Sequence, residues 1–257
     1  EACDQILQLE PEDGDALATL ERLARKRDDW ESLDLVLVRR IDKADSSGLR
    51  VRLTLNRADN ALHNLHRHRL ALDLVLEADR GVSEAEDLDH TVDLYEALYV
   101  NEELRGEIAD RLAGHYEQME RWDDLNAVLV NKLETTHNAE DACRIALRCA
   151  DVADAHLRDP EGGLDILLTA FSRFPTREAL RDRISLLAEA ADSWHPVADT
   201  LAVALAHAQG GDHIAYLGRW LARIRQEKLQ DAAGAAPAHV TRRARAIISR
   251  RRLRAPR

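Results

Sequence analysis

One spacing of large apolar residues occurs three times in the chain. The three copies are centred on Trp30, Trp122 and Trp194, and each has apolar residues 10 and 6 positions before the tryptophan and 3 and 7 positions after it. Steps of three or four place residues on one face of a helix, whereas the step of six interrupts that face. The pattern predicts two short amphipathic helices with a turn just before each tryptophan, and we expect the tryptophans to pack between such hairpins.

A second kind of hairpin fills the space between these copies. Its first helices carry Ala58, Ala150 and Ala222, where the tryptophan copies have the larger Leu20, Leu112 and Ile184. Both series repeat in step, with a longer interval before the second copy and a shorter one before the third. The sequence therefore predicts an alternation of bulky hairpins, here called Trp hairpins, with small-residue hairpins, here called lean hairpins. Facing surfaces of unequal size would let the two kinds interdigitate.

The extra length of the first interval marks an insertion near residues 77–101. A helical stripe of apolar residues runs through it: Leu88, Val92, Leu94, Tyr95, Leu98 and Tyr99. The stripe predicts either one extra helix or an elongated helix between repeats. Such an insertion either modifies a binding face or serves as a longer connector.

Helical hairpins that recur with a period of roughly 34 residues resemble the tetratricopeptide repeat family. The resemblance is carried by a large residue on the first helix (Leu112), an aromatic residue one turn later (Tyr116), an aromatic residue opening the second helix (Trp122), and prolines between repeats (Pro11 and Pro175). It covers about residues 1–240.

The resemblance implies an all-α fold, a right-handed α-solenoid of about six hairpins over residues 1–236. The chain starts at Glu1, within a helical pattern, and the apolar stripe fails near Pro237. We therefore expect a fragment of a longer bacterial array. The remaining residues 237–257 are predicted to be either a disordered basic tail or the atypical end of that array.

Composition narrows the class of protein. A hydrophobic content of 45% with only 4% aromatic residues favours a helical core, and no apolar run reaches membrane-spanning length. Cys143 and Cys149 are six positions apart, so they face different sides of a helix and predict small core residues in a reducing, cytoplasmic environment.

Charge is distributed unevenly along the chain. Residues 231–257 contain eight arginines and one aspartate, a local charge of +7. Since the total charge is −11, the rest of the chain carries −18. The acidic body repels nucleic acid and anionic membranes, whereas the arginine-rich end attracts both.

No catalytic, cofactor or metal site is predicted. The sequence lacks a glycine-rich phosphate loop, a GxSxG or HExxH motif and paired cysteines. His63 and His66 lie one turn apart and could share a metal, but together with His68 they are better explained as surface or turn histidines. We therefore expect neither an enzyme nor a small-molecule substrate.

A candidate partner-binding stripe lies on the first helices. Asn56, Asn60 and Asn64 recur every four residues, and in the resembling family this helix face lines a groove where asparagines hold an extended peptide. Neighbouring stripes carry basic residues before it and acidic or polar residues after it. The predicted groove residues are Arg22, Arg25, Lys26, Asn56, Asn60, Asn64 and Glu117. The alternative is a plain solvated face.

Two functions follow from these features. The first is a non-catalytic scaffold that binds a partner protein or an extended peptide in its groove. The second is attachment to nucleic acid or a membrane surface through the arginine-rich end, with the repeats acting as a spacer.

Overall fold

The computed structural model describes residues 14–230, and this part of the chain is all-α. It contains twelve α-helices and no strand within the described residues. The basic segment 237–257 and the second half of the last lean hairpin lie outside the described residues. The predicted domain boundary near residue 236 lies outside them as well.

The described chain divides into two compact units at Met119 and Glu120, a division that the sequence did not predict. We call residues 14–119 the N-terminal unit. Its helices are α1 (Gly14–Lys26), α2 (Trp30–Asp42), α3 (Ser47–Asp59), α4 (His68–Asp79), α5 (Ala85–Tyr99) and α6 (Glu102–Gln118). One π-helical turn, Asn60–Asn64, extends α3. Each helix of this unit packs against the next, and α3 also packs against α5.

Residues 120–230 form the C-terminal unit. Its helices are α7 (Trp122–Thr135), α8 (Ala139–Ala155), α9 (Pro160–Arg173), α10 (Glu178–Ala190), α11 (His195–His207) and α12 (Gly211–Glu227). Helix α8 packs against α7, α9 and α10, and α9 packs against α10 and α11. First helices therefore contact first helices, and second helices contact second helices.

The predicted turns are confirmed by the backbone. Within residues 14–230, six non-glycine residues adopt left-handed backbone angles, with φ between 48° and 56°. Each stands two positions before the residue at which the repeat alignment starts a second helix. They are Asp28, His66, Glu120, Arg158, Asp192 and Gln230. A left-handed residue just past a helix end is a common way to stop the helix and reverse the chain. Trp hairpins and lean hairpins therefore share one turn position.

The two kinds of hairpin differ in how the first helix ends. In the first and third Trp hairpins the residue before the tryptophan closes a Schellman-type turn, with Asp29 N donating to Ala24 O at 3.0 Å and Ser193 N to Ala188 O at 2.9 Å. In lean hairpins Leu65, Leu157 and Leu229 each donate to the carbonyl five residues earlier, at 3.0 to 3.2 Å. Lean first helices thus end in one wider, π-type turn.

The predicted apolar stripe forms the core. The residues three and seven positions after each tryptophan are all buried: Leu33, Leu37, Leu125, Leu129, Val197 and Leu201. The tryptophans contact the end of the next lean first helix. Trp122 stacks on His156 with ring centroids 3.6 Å apart, and Lys228 Nζ lies 5.1 Å from the centroid of Trp194. Packing between hairpins, predicted for the tryptophans, is confirmed.

The insertion forms an extra helix, α5, which decides between the two predicted alternatives. Helix α5 packs against α3, α4 and α6. It occupies the place beside α3 that the repeat register assigned to α6. We expected the asparagine stripe on α3 to adjoin the stripe on α6 that carries Glu117. This prediction is wrong, because an additional helix separates the two first helices.

Both described cysteines are small core residues, as predicted. Cys143 and Cys149 are free and buried on α8. Burial raises the pKa of the Cys149 thiol to about 12, so this thiol stays protonated and unreactive.

Candidate functional site

An open cavity of about 600 Å³ lies beside the inserted helix, within the N-terminal unit. Asp79 and segment 82–84 form one wall, and Ala85 and Leu88 of α5 form a second. The third wall is one face of α6: Asp110, Arg111, Gly114, His115 and Gln118. Because segment 82–84 and α5 belong to the insertion, the insertion creates this cavity.

A buried polar network stands at the back of the cavity. Asp79, the last residue of α4, has a side chain that is only 7% exposed. Tyr95 Oη of α5 donates to Asp79 Oδ2 at 3.1 Å. From α6, His115 Nε2 lies 3.0 Å from Asp79 Oδ1, and Arg111 Nη1 lies 3.6 Å from Asp79 Oδ2. One carboxylate therefore connects three helices.

The surroundings of Asp79 favour its charged form. Burial by itself raises the pKa of this carboxyl, but the contact with His115, the phenol of Tyr95 and the charge of Arg111 outweigh burial and lower it. Tyr95 is fully buried, and burial together with the Asp79 charge raises the pKa of its phenol. Tyr95 thus remains a hydrogen-bond donor at every physiological pH.

The network holds the cavity wall in place. Asp79 Oδ1 faces His115, and Asp79 Oδ2 receives the bond from Tyr95. The ring of His115 also stacks on that of Tyr95, with centroids 5.9 Å apart. The arrangement presents a rigid, charged surface to the cavity.

The basic residues predicted for the groove lie near the C-terminal end of α1. Arg22, Arg25 and Lys26 are all exposed, and Arg25 Nε donates to Glu21 Oε1 at 3.2 Å. Glu117 is exposed near the end of α6. These four residues remain on accessible helix faces.

The asparagine stripe needs a correction. Asn60 is buried, only 1% exposed, and its Nδ2 donates to Trp30 O at 3.0 Å. Asn64 Nδ2 in turn donates to Asn60 Oδ1 at 3.1 Å, and both Asn56 and Asn64 are half-buried. The π-helical turn at Asn60–Asn64 also interrupts the spacing of the α-helix. Asn60 therefore joins two hairpins and is not available to a peptide.

The alignment of the repeats indicates that the position of Asn60 faces inward. The residues equivalent to Asn60 in the other two lean first helices are Val152 and Ile224, and both are buried. Asp79 is equivalent to Phe171, which is also buried. A polar residue where the sister copies have an apolar residue indicates an internal polar contact.

The histidine cluster shows no metal-binding geometry. His63 Nδ1 lies 3.1 Å from Asp59 Oδ1, one helical turn earlier. His66 is a left-handed turn residue, and His68 opens α4. Within residues 14–230, no three His, Cys, Asp or Glu side chains are grouped closely enough to hold a metal ion.

The sequence matches no protein-family model and no curated protein. Among the helices of residues 14–230, none combines the length and the apolar character needed to cross a membrane.

Proposed function

We propose that this protein is a non-catalytic scaffold that holds a partner protein through an extended peptide segment, and that its hairpins form a right-handed α-solenoid of the tetratricopeptide type. The observation that carries the proposal is the recurrence of one left-handed turn at six equivalent positions. A chain built from stacked, equivalent hairpins buries one helix face and leaves a series of parallel faces for binding.

Two accessible surfaces of the N-terminal unit suit a peptide of mixed charge. The end of α1 offers three exposed basic side chains, Arg22, Arg25 and Lys26. The cavity beside α5 offers carboxylates together with apolar walls. Extended peptides bind to helical arrays through such alternating charged and apolar contacts along their length.

The cytoplasm is the compartment we propose for this scaffold. Cys143 and Cys149 are buried as free thiols, which is the usual state of cysteines in a reducing compartment. Because neither of these thiols forms a disulfide, the core of residues 14–230 does not depend on an oxidising environment for its stability.

Selection from a random peptide display library with the immobilised chain tests this function. We expect recovery of peptides that share a sequence pattern and lose affinity when Arg22 and Lys26 are both replaced by Glu. The matched control is Arg39→Glu, a charge reversal at an exposed position of a second helix, α2. If repeated rounds enrich no peptide above an unrelated helical protein, the scaffold function is wrong.

A second candidate function rests on the charge of the chain end. Eight arginines within residues 231–257 would bind phosphates of nucleic acid or of a membrane surface without sequence preference. A salt titration of DNA binding, with the whole chain and with a chain ending at residue 236, separates the two functions. Attachment through this segment predicts binding that is steeply salt-dependent and is lost on truncation.

A further inference from the structure

We infer that the cavity beside α5 receives a lysine or arginine side chain from a basic segment of a partner protein. This inference rests on the proposed scaffold function and names the chemistry of one of its contacts. The cavity has a volume of about 600 Å³, which falls within the range of volumes of protein sites that enclose ligands.

The α6 wall of the cavity has open space at Gly114. Gly114 lies on the α6 wall, and a Cβ placed on it would meet no described atom within 4 Å. Val82, Ala85 and Leu88 give the opposite side an apolar surface. Long basic side chains pack their aliphatic stems on such surfaces and keep the charged group at a polar rim.

The charge around the cavity selects a cation. Asp79 is matched within the fold by Arg111 and His115, but Glu84 adds a further carboxylate to the walls. Glu84 stands at the N-cap of α5, where its side chain makes no capping hydrogen bond to the described helix. Residues 73–110 contain 13 acidic residues and two arginines, a net charge of −11. A negative potential of this kind attracts a cationic segment and repels an anionic one.

Other ligand classes fit less well. The N-terminus of α5 would attract a phosphate, but Glu86 and Asp87 already place negative charge in its first turn. A metal ion would need three or more grouped ligands, which residues 14–230 do not provide. A basic side chain is favoured because it uses the apolar and the acidic walls together.

Filling the cavity tests the inference. The probe is a fluorescently labelled peptide of alternating lysine and alanine, and its binding to the full chain is measured by fluorescence anisotropy. We expect Gly114→Leu to weaken binding about tenfold or more. Gly106→Leu is the matched control, because Gly106 is exposed on the same helix, has no described atom within 4 Å of a Cβ and lies away from the cavity. Both changes replace glycine by a better helix former, so neither should lower the thermal midpoint.

Two further measurements test the charge of the ligand. Glu84→Gln should weaken the lysine peptide roughly three- to fivefold. A peptide of alternating glutamate and alanine should not bind. Equal binding of the lysine peptide to the wild type and to Gly114→Leu, its failure to bind the wild type, or equal binding of the glutamate peptide would each overturn the inference.

Failure of this inference can be told apart from failure of the scaffold function. Library peptides that are not basic, or that bind Gly114→Leu as well as the wild type, would leave the scaffold function intact and exclude the cavity. The absence of any enriched peptide counts against the scaffold itself.

Discussion

The same joint between hairpins is charged in one unit and uncharged in the other. In the N-terminal unit, where α2 meets α3, Arg57 donates to the buried Asp34 through Nε at 2.7 Å and through Nη2 at 3.3 Å. The repeat register places Asn126 and Ala198 at the position of Asp34, and Cys149 and Leu221 at that of Arg57. The backbone turn beside the joint is common to both units, so it accepts either kind of contact.

The contrast extends to two further positions. Asn60 of the N-terminal unit corresponds to Val152 and Ile224, and Asp79 corresponds to Phe171, whose ring meets Trp220 edge to face with centroids 5.6 Å apart. Apolar contacts stabilise in proportion to the area that they bury, whereas paired charges fix geometry at little net gain in stability. At these positions the C-terminal unit has apolar contacts, whereas the N-terminal unit has directional bonds.

The largest expected effect on stability is at the apolar residue Phe171 of the C-terminal unit. Replacing Phe171 by Ala removes a ring that is 1% exposed, and large-to-small changes of this kind cost about 3 to 5 kcal/mol. We expect the free energy of unfolding, measured by urea denaturation, to fall by this amount equally at neutral and at acid pH. A pH-dependent difference would contradict an apolar origin.

The buried ion pair gives the next largest effect. Asp34→Ala leaves the guanidinium of Arg57 without its partner, and we expect a loss of about 2 to 4 kcal/mol in unfolding free energy because the pair is largely buried. The double change Asp34→Ala with Arg57→Leu recreates the Ala198 and Leu221 pair of the C-terminal unit. It should recover most of the loss. A double variant as unstable as the single one would show that the two joints are not equivalent.

Asp79 should give a smaller, pH-dependent effect. Its pKa is lowered in the folded chain, so its contribution to stability is present above the unfolded value of about 3.9 and is lost as the pH falls through the lower folded value. We expect Asp79→Asn to cost about 1 to 2 kcal/mol at neutral pH, as for a hydrogen bond to a charged group.

In urea denaturation at a series of pH values, the difference in unfolding free energy between the wild type and Asp79→Asn should shrink as the pH falls below about 4. Phe171→Ala serves as the control, because its difference from the wild type should stay constant over the same range. A constant difference for Asp79→Asn would show that the carboxylate charge has no part in the contact.

The repeating features were predictable from the sequence because they recur. The positions of the turns and of the buried residues after each tryptophan follow from the spacing of apolar side chains, which is a local property. The extra helix α5 was predictable as a helix for the same reason. Its packing beside α3 was not, because spacing along the chain does not decide which helix takes a place in the stack.

The polar contacts were harder to predict because they join distant residues. Asn60 fits a helical stripe of asparagines, and only comparison with Val152 and Ile224 shows that the position faces inward. His115 lies far from Asp79 along the chain, and no local pattern links them. The contribution of a charged residue at such a site depends on the residues that surround it in the folded chain.

The smallest expected effect concerns the turns that both units share. A left-handed conformation costs an ordinary residue roughly 1 to 2 kcal/mol, and glycine avoids this cost but loses more freedom on folding. We expect Arg158→Gly to raise the free energy of unfolding by about 0.5 to 1 kcal/mol. Asp28→Gly should gain less, since aspartate tolerates this conformation better. Thermal and urea unfolding measure both variants. A loss of stability in Arg158→Gly would mean that the arginine side chain makes a stabilising contact at the lean turn, so that the two kinds of hairpin would differ there as well as in the joint.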